Sequence, residues 1–120
     1  MKNNTLKLKY KQATEHQLQS QCIKYFRMQY KNSIITAIPN AGKRSIVEGA
    51  RMKAEGLLTG FPDTQILHNG KMVFIEFKVG RNKLTEAQYR VQQEILANGF
   101  PYYVCYSFDE FLNILKLELV

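Results

Sequence analysis

The sequence of 120 residues has no tryptophan, three prolines and two cysteines. Two cysteines are too few for a disulfide framework, which excludes the class of small disulfide-stabilised domains. Cys22 lies in a predicted helix and Cys105 in a predicted apolar strand, so both are expected to be buried free thiols. The sequence also lacks a signal peptide and any long apolar run. We therefore expect an intracellular protein with no membrane span.

Acidic residues are scarce as well, since 10 Asp and Glu stand against 17 Lys and Arg and give a formal net charge of +7. This excess favours a polyanionic partner, of which nucleic acid is the simplest. Residues 1–12 carry four lysines and no strong hydrophobic period. They predict a basic N-terminal arm that either contacts phosphates or is a solvated tail. Residues 13–120 are predicted to form a single folded domain.

The strongest local signal is Asn69-Gly70, which lies between two segments rich in β-forming residues. A type I′ turn needs positive φ at both central residues, and this dipeptide satisfies that need. With these two residues as the loop, His68 pairs with Lys71 and, counting outward, Asp63 pairs with Glu76. The Cβ atoms of the two acidic residues would then be about 4.5–5.5 Å apart. A bulge at the turn would shift this register.

Like charges that face each other across two strands are destabilising. A divalent cation offsets that cost, because Mg²⁺ is usually held by one or two carboxylates together with water and phosphate oxygens. Strand alternation places Lys78 on the same face as Glu76. The residues predicted to point the other way, into a core, are Val73, Ile75 and Phe77. A metal site at Asp63 and Glu76 with the Lys78 ammonium beside it is suited to phosphodiester hydrolysis. The alternative is that these charged residues only occupy the solvated end of the strand pair.

Helix starts are marked by Ser or Thr followed three positions later by Glu or Gln, the pattern of a capping box. The four pairs are Thr14 with Gln17, Ser45 with Glu48, Thr85 with Gln88, and Ser107 with Glu110. The last of these helices is strongly apolar and is predicted either to cover a sheet or to form a dimer interface. With apolar strands near 33–38 and 101–106, the order α-β-α-β-β-α-β-α predicts an α/β fold with a mixed sheet flanked by helices.

Two basic segments are candidate DNA contacts. Lys43 and Arg44 precede the helix that begins at Ser45, and free N–H groups at a helix start beside two cations favour phosphate binding. Arg81 and Lys83 form a second basic loop. The alternative for both segments is a solvated basic loop.

Pro62-Asp63 followed by Glu76-Phe77-Lys78 resembles the PD-(D/E)XK nuclease signature. The wider sequence is similar to the VRR-NUC (virus-type replication-repair nuclease) family. The segments that carry this resemblance are Ile38-Pro39-Asn40-Ala41-Gly42-Lys43-Arg44-Ser45, Lys53-Ala54-Glu55-Gly56, Gly60-Phe61-Pro62-Asp63, Ile75-Glu76-Phe77-Lys78-Val79-Gly80 and Leu84-Thr85-Glu86-Ala87-Gln88. The short motif alone is weak, whereas the ordered set is specific and covers most of the chain from about residue 14 onward.

The resemblance implies a restriction-endonuclease-like core that binds Mg²⁺ or Mn²⁺ through Asp63 and Glu76, with Lys78 as a catalytic residue. Related nucleases carry a glutamate early in the first helix, which makes Glu15 a further candidate ligand. The alternative for Glu15 is a surface residue favoured by the helix dipole. The main-chain carbonyl of Phe77 is another candidate ligand.

Two more residues gain a functional interpretation from the family. At the position of Gln88 the family has a glutamine near the active site. The alternative role for Gln88 is to complete the capping box with Thr85. One residue can serve both roles. The Asn-x-Gly-basic segment, which runs to Ser45, adds Asn40 and Ser45 to the candidate DNA contacts.

The family is tied to replication and repair, and its stand-alone members resemble Holliday-junction resolvases. The resemblance therefore implies a structure-selective DNA endonuclease that acts on branched DNA as a homodimer. A viral origin, with a bacterial host cell, is part of this expectation. The alternatives are a nucleic-acid-binding module without turnover and a nuclease subunit that needs a partner protein.

Overall fold

The computed structural model describes residues 13–39 and 45–120, and within these ranges helices and strands follow each other in the predicted order. The elements are α1 (Glu15–Gln29), β1 (Ile34–Ala37), α2 (Ile46–Ala54), β2 (Thr64–His68), β3 (Lys71–Phe77), α3 (Glu86–Ala97), β4 (Tyr102–Cys105) and α4 (Phe108–Glu118). The prediction of an α/β fold with a mixed sheet flanked by helices is confirmed. The predicted basic arm, residues 1–12, lies outside the described residues.

The strands form one sheet in the order β1-β2-β3-β4. The pairs β1–β2 and β2–β3 are antiparallel, whereas β4 runs parallel to β3. Parallel strands need a crossover connection, and α3 with its flanking loops provides it by returning the chain from the end of β3 to the beginning of β4. The carboxyl ends of β3 and β4 therefore meet at the same edge.

The hairpin between β2 and β3 has the predicted register. His68 pairs with Lys71, and Thr64 pairs with Ile75. Asn69 and the following glycine have φ values of 47° and 78°, the positive values that a type I′ turn requires. Asp63 directly precedes β2 and still contacts β1, since its carbonyl accepts the Ile38 N–H at 2.8 Å. Asp63 and Glu76 therefore lie at the same end of the hairpin.

One face of the sheet packs against α1 and α4. Buried side chains on this face, from the sheet, α1 and α4, are Val73, Ile75, Phe77, Leu18, Cys22, Phe26, Phe111, Ile114 and Leu115. The predicted inward orientation of the three β3 residues is thus confirmed, and α4 covers the sheet. Cys22 and Cys105 are both buried and free, as predicted.

The opposite face packs against α3. Its core consists of Phe74, Tyr102, Val91 and Ile95. Glu76 follows Phe74 by two positions in β3 and so shares this face. The candidate site therefore lies between the sheet and the beginning of α3.

The predicted N-caps are all present, and two of the four boxes have both hydrogen bonds. The two complete boxes are Thr14 with Gln17 and Thr85 with Gln88. Ser45 and Ser107 accept the backbone N–H three residues later, as a cap should. At the last box, Glu110 accepts the N–H of Tyr106 at 2.8 Å, one residue before the cap.

Helix α2 is the exposed element of the fold. None of its residues is buried, and Ile46 and Val47 are 92% and 78% exposed. It is held at its ends by the Ser45 cap and by Gly56, whose φ of 112° ends the helix. In the described part of the chain, no helix is both long enough and apolar enough to span a membrane.

Candidate active site

Asp63 is fixed by the end of the neighbouring strand. Its Oδ2 atom accepts the backbone N–H of Phe77 at 2.8 Å. A hydrogen bond from a backbone amide to a carboxylate is short and stronger than a neutral one. The bond holds the Asp63 carboxyl next to β3, beside the residue that precedes Phe77, which is Glu76.

Glu76 is a buried acid, with 2% of its surface exposed. Burial is the largest cause that raises the pKa of Glu76 to about 9, and the hydrogen bond and negative charge of Asp63 raise this pKa further. In the metal-free protein at neutral pH, Glu76 therefore holds a proton next to Asp63. Its Oε1 atom is buried and has no hydrogen-bond partner among the described residues.

Lys78 completes the set that the sequence predicts. It is 7% exposed, and its backbone N–H donates to the Cys105 carbonyl at 3.0 Å, which continues the pairing of β3 with β4. Its ammonium is close enough to Glu76 that the positive charge lowers the pKa of that carboxyl. The fold thus brings Asp63, Glu76 and Lys78 together at one end of the sheet.

Gln88 makes both of the contacts that the sequence left as alternatives. Its Oε1 accepts the Thr85 N–H at 2.9 Å, which completes the capping box of α3. Its Nε2 donates to Glu76 Oε2 at 3.2 Å. The first turn of α3 therefore holds one oxygen of the buried acid.

A cleft of about 300 Å³ opens beside Asp63. The described residues that line it include Lys53, Thr59, Gly60, Thr85 and Gln88. At Gly60 the backbone has a φ of 90°, and an added Cβ would lie 2.6 Å from the carbonyl carbon and oxygen of Ala87. Only glycine permits this approach of the loop to α3, and the approach sets the floor of the cleft.

Glu15 is held elsewhere. Its Oε2 accepts a hydrogen bond of 3.0 Å from Asn82 Nδ2, in the loop after β3. Among residues 13–39 and 45–120, no three or more His, Cys, Asp or Glu side chains are grouped so that they could hold a metal ion. The structure thus does not group Glu15 with Asp63 and Glu76, and its role as a ligand stays a prediction, as does that of the Phe77 carbonyl.

The predicted DNA contacts are spread over two loops. Asn40, Lys43 and Arg44 lie outside the described residues, whereas Ser45 caps α2 through the N–H of Glu48. Arg81 and Lys83 are exposed in the loop after β3. Their roles in DNA binding stay predictions.

Two residues near the site had no assigned role in the sequence. Lys53 lines the cleft, although the sequence alone leaves open whether it faces DNA or solvent. Tyr102 is read from the sequence only as part of an apolar strand, yet its buried hydroxyl oxygen has no partner among the described residues. Lys53 lies in a segment that resembles the family but that assigns it no role, and no motif marks Tyr102.

A divalent cation fits the carboxyl pair. Asp63 and Glu76 offer hard oxygen donors of the type that Mg²⁺ and Mn²⁺ prefer. Without a cation, the buried Glu76 lies next to the half-buried Asp63, and Glu76 Oε1 lacks a partner among the described residues. A cation would supply that partner and favour ionisation of both acids.

The chain is similar to a known protein family over most of its length. Residues 3–109 match the family described as the VRR-NUC domain. The chain belongs to this family. The VRR-NUC assignment predicted from the motifs is therefore confirmed, and the chain has a nuclease-type fold.

Solved structures support the same fold for this VRR-NUC chain. A "VRR_NUC domain protein" superposes with a TM-score of 0.73 at 22% identity, over 89% of this chain and 88% of the other. A second structure, "VRR_NUC domain", gives a TM-score of 0.58 at 19% identity, over 90% of this chain and 100% of the other. Comparison with functionally curated proteins gives no match.

Proposed function

We propose that this VRR-NUC domain is a metal-dependent deoxyribonuclease that hydrolyses phosphodiester bonds in branched DNA. The observation that carries the proposal is the pair formed by Asp63 and the 2% exposed Glu76, with Lys78 beside it. Burying Glu76 and Lys78 beside the half-buried Asp63 costs free energy, so a purely structural role explains the arrangement poorly. A site that binds a cation and a phosphate explains all three residues.

Asp63 and Glu76 would hold Mg²⁺ or Mn²⁺, which would supply a water of lowered pKa and neutralise charge on the phosphate. The protein contributes the orientation of these ligands. The Phe77 N–H fixes Asp63 at 2.8 Å, and the Gln88 amide fixes Glu76 at 3.2 Å. The ammonium of Lys78 stabilises the negative charge that develops on the phosphate in the transition state.

The preference for branched DNA and the homodimer rest on the family's resemblance to Holliday-junction resolvases, which is an analogy at the level of the fold. A symmetric four-way junction needs two cuts related by a two-fold axis, which a dimer with two sites provides. The net charge of +7 supports a polyanionic substrate.

A second candidate is a nucleic-acid-binding subunit that cuts DNA only with a partner protein, or not at all. The exposure of Ile46 and Val47 on α2 favours this candidate, because large apolar side chains on a helix that buries none of its residues suit a protein contact. Pull-down and gel filtration with DNA present would reveal such a partner or a dimer.

The deciding experiment incubates the protein with labelled four-way junction, flap, splayed-arm and linear duplex DNA, in Mg²⁺, Mn²⁺ or EDTA. Lys78→Ala is compared with Lys71→Ala, because Lys71 is an exposed residue at the far end of β3. We expect cleavage in metal only, a loss of at least about 100-fold in Lys78→Ala, and little change in Lys71→Ala. Asp63→Ala and Glu76→Ala should also abolish cleavage.

The pattern of cuts separates the candidates. Symmetric cuts in the four-way junction identify a resolvase-like dimer, whereas cuts confined to flaps or arms keep the chemistry and change the substrate. Full activity of all three site variants would refute the site. DNA binding without cleavage of any substrate would favour the binding subunit.

A further inference from the structure

Lys53 stands on the wall of the cleft that contains Asp63. It belongs to the last turn of α2, and Thr85 and Gln88 at the start of α3 also line this cleft. We propose that Lys53 binds a backbone phosphate of the DNA strand that lies in the cleft. This proposal rests on the proposed nuclease function and adds a residue that the motifs do not assign.

The charges of the cleft favour such a contact. Among the described residues that line it, Asp63 is the acidic residue and Lys53 the basic one. A DNA phosphate in the cleft would be repelled by Asp63, and Lys53 would add a positive charge from α2 to those of Lys78 and the metal ion. An ammonium that contacts a phosphate also releases counterions from the DNA, which favours binding.

The neighbouring cation on α2 is engaged differently. Arg51 pairs with Glu55, with 3.1 Å between Nη1 and Oε1. No acidic side chain of the described residues lies within ion-pairing distance of Lys53. Both cations are exposed and neither lies in the core. Helix α2 therefore presents one cation that is paired within the helix and one that is available to the cleft.

The test measures DNA affinity by fluorescence anisotropy in EDTA, where no strand is cut, with salt varied from about 50 to 200 mM. Lys53→Gln is compared with Arg51→Gln, which removes the same charge from the same helix, and with Lys53→Arg. We expect Lys53→Gln to reduce the slope of log K against log[salt] by about 1, because one phosphate contact is lost. Arg51→Gln should leave the slope unchanged, and Lys53→Arg should keep it.

Equal slopes for Lys53→Gln and the unmodified protein would overturn the proposal, since Lys53 would then be a solvated surface residue. If the unmodified protein bound none of the DNAs, the proposed function would fail as well. Thermal unfolding of each variant checks the fold, which an exposed substitution on α2 should leave intact.

A separate observation concerns two buried oxygen atoms without partners, Glu76 Oε1 and Tyr102 Oη. They lie on one face of the sheet, because Phe74 pairs with Tyr102 and Glu76 pairs with Val104 in the parallel ladder. Burial is the main cause that raises the pKa of the Tyr102 phenol, and the charges of Glu76 and Asp63 raise it further. The Tyr102 phenol therefore lies on the face of the sheet that carries Glu76.

A buried hydroxyl without a partner is unfavourable, because it has lost its hydrogen bonds to water and gained none in the protein. We infer that Tyr102 is a positioning residue whose hydroxyl donates a hydrogen bond to the Glu76 carboxylate when a divalent cation is bound. The bond would give the Tyr102 hydroxyl a partner and fix the carboxylate beside the cation, as outer partners of metal ligands commonly do. This inference depends on the metal site of the proposed function.

Tyr102→Phe tests the inference without an activity measurement, and Tyr103→Phe on the opposite face of β4 is the control. In EDTA the melting temperature of Tyr102→Phe should be unchanged or higher, because no bond is lost. Calorimetry should show Mn²⁺ binding weakened by about 10-fold in this variant, as for other outer partners of metal ligands, and unchanged in the control.

Equal Mn²⁺ affinity in Tyr102→Phe and the unmodified protein would overturn this inference. A clear loss of stability of Tyr102→Phe in EDTA would also overturn it, because the hydroxyl would then have a partner in the metal-free protein. If the unmodified protein bound no Mn²⁺, the metal site of the proposed function would be wrong as well.

Discussion

The side-chain amide of Gln88 joins the capping of α3 to the buried acid Glu76. Its oxygen accepts the Thr85 N–H at 2.9 Å while its nitrogen donates to Glu76 Oε2 at 3.2 Å. The two contacts need opposite ends of one amide, so they also determine which end is oxygen and which is nitrogen. Movement of the first turn of α3 would therefore move the acid.

Gln88→Glu is expected to separate these two roles. Glutamate at the third helical position keeps the capping bond but cannot donate to Glu76. We expect cleavage to fall at least about 10-fold, because the contact with Glu76 is lost and a negative charge is added beside the two acids. The melting temperature should fall less than in Gln88→Ala, because the capping bond is kept. Gln88→Ala should lower both quantities because it removes the cap as well. Unchanged cleavage by Gln88→Glu would show that the contact with Glu76 does not matter for the reaction.

The stability of the metal-free protein should decrease as the pH rises. Glu76 has a pKa of about 9 in the folded protein, against 4.5 for an ordinary glutamate. The folded state therefore binds more protons between these values, and its stabilisation is complete below pH 4.5 and lost as the pH rises through about 9. The slope should be up to about 1.4 kcal/mol per pH unit.

Urea unfolding in EDTA at several pH values measures this dependence. Glu76→Gln, which mimics the protonated acid, should show a flatter profile and exceed the unmodified protein in stability near pH 9. Mg²⁺ should stabilise the unmodified protein more at high pH, because metal binding releases the proton of Glu76. Parallel profiles for the two proteins would contradict the assignment of the proton to Glu76.

Gly60→Ala should be more harmful than the same change at Gly56. Both glycines have positive φ values, 90° and 112°, so alanine introduces backbone strain of about 1 kcal/mol or more at either position. At Gly60 the new Cβ would also lie 2.6 Å from the Ala87 backbone, whereas at Gly56 nothing lies within 4 Å. We expect at least about 1 kcal/mol of additional destabilisation at Gly60 and a loss of cleavage, because the start of α3 must shift. Equal effects in denaturation experiments would mean that the loop moves freely away from α3.

Neither cysteine should react in the folded protein. Cys22 and Cys105 are fully buried and unbridged, so a thiol reagent should modify them only after unfolding. The measurement is the number of thiols titrated with and without denaturant, with cleavage assayed after exposure to the reagent. Rapid labelling of the folded protein, with loss of activity, would show that the α1 side of the core opens readily.

The local parts of the site could be predicted from the sequence, because their geometry is set by neighbouring residues. Asn69 and Gly70 determine the turn, the turn determines the register, and the register places Asp63 and Glu76 at one end of the hairpin. The N-cap residues mark the helix starts for the same reason.

The other parts depend on packing between distant segments and could not be predicted. Glu15 bonds with Asn82, which is 67 residues away in the chain. Lys53 reaches the cleft because Gly60 lets the preceding loop approach α3 closely. The unpartnered hydroxyl of Tyr102 becomes visible only when β4 is placed parallel to β3.

The bonds that fix the carboxyl pair close short loops of the chain. Asp63 and Phe77 are separated by 14 residues, and Glu76 and Gln88 by 12. Closing short loops costs little chain entropy, so the hairpin and the start of α3 can form their mutual contacts before β1, α1 and α4 are in place. The acids would then be in position early in folding. Both of these loops lie within residues 60–88. An insertion elsewhere in the chain would therefore leave the lengths of the loops that position Asp63 and Glu76 unchanged.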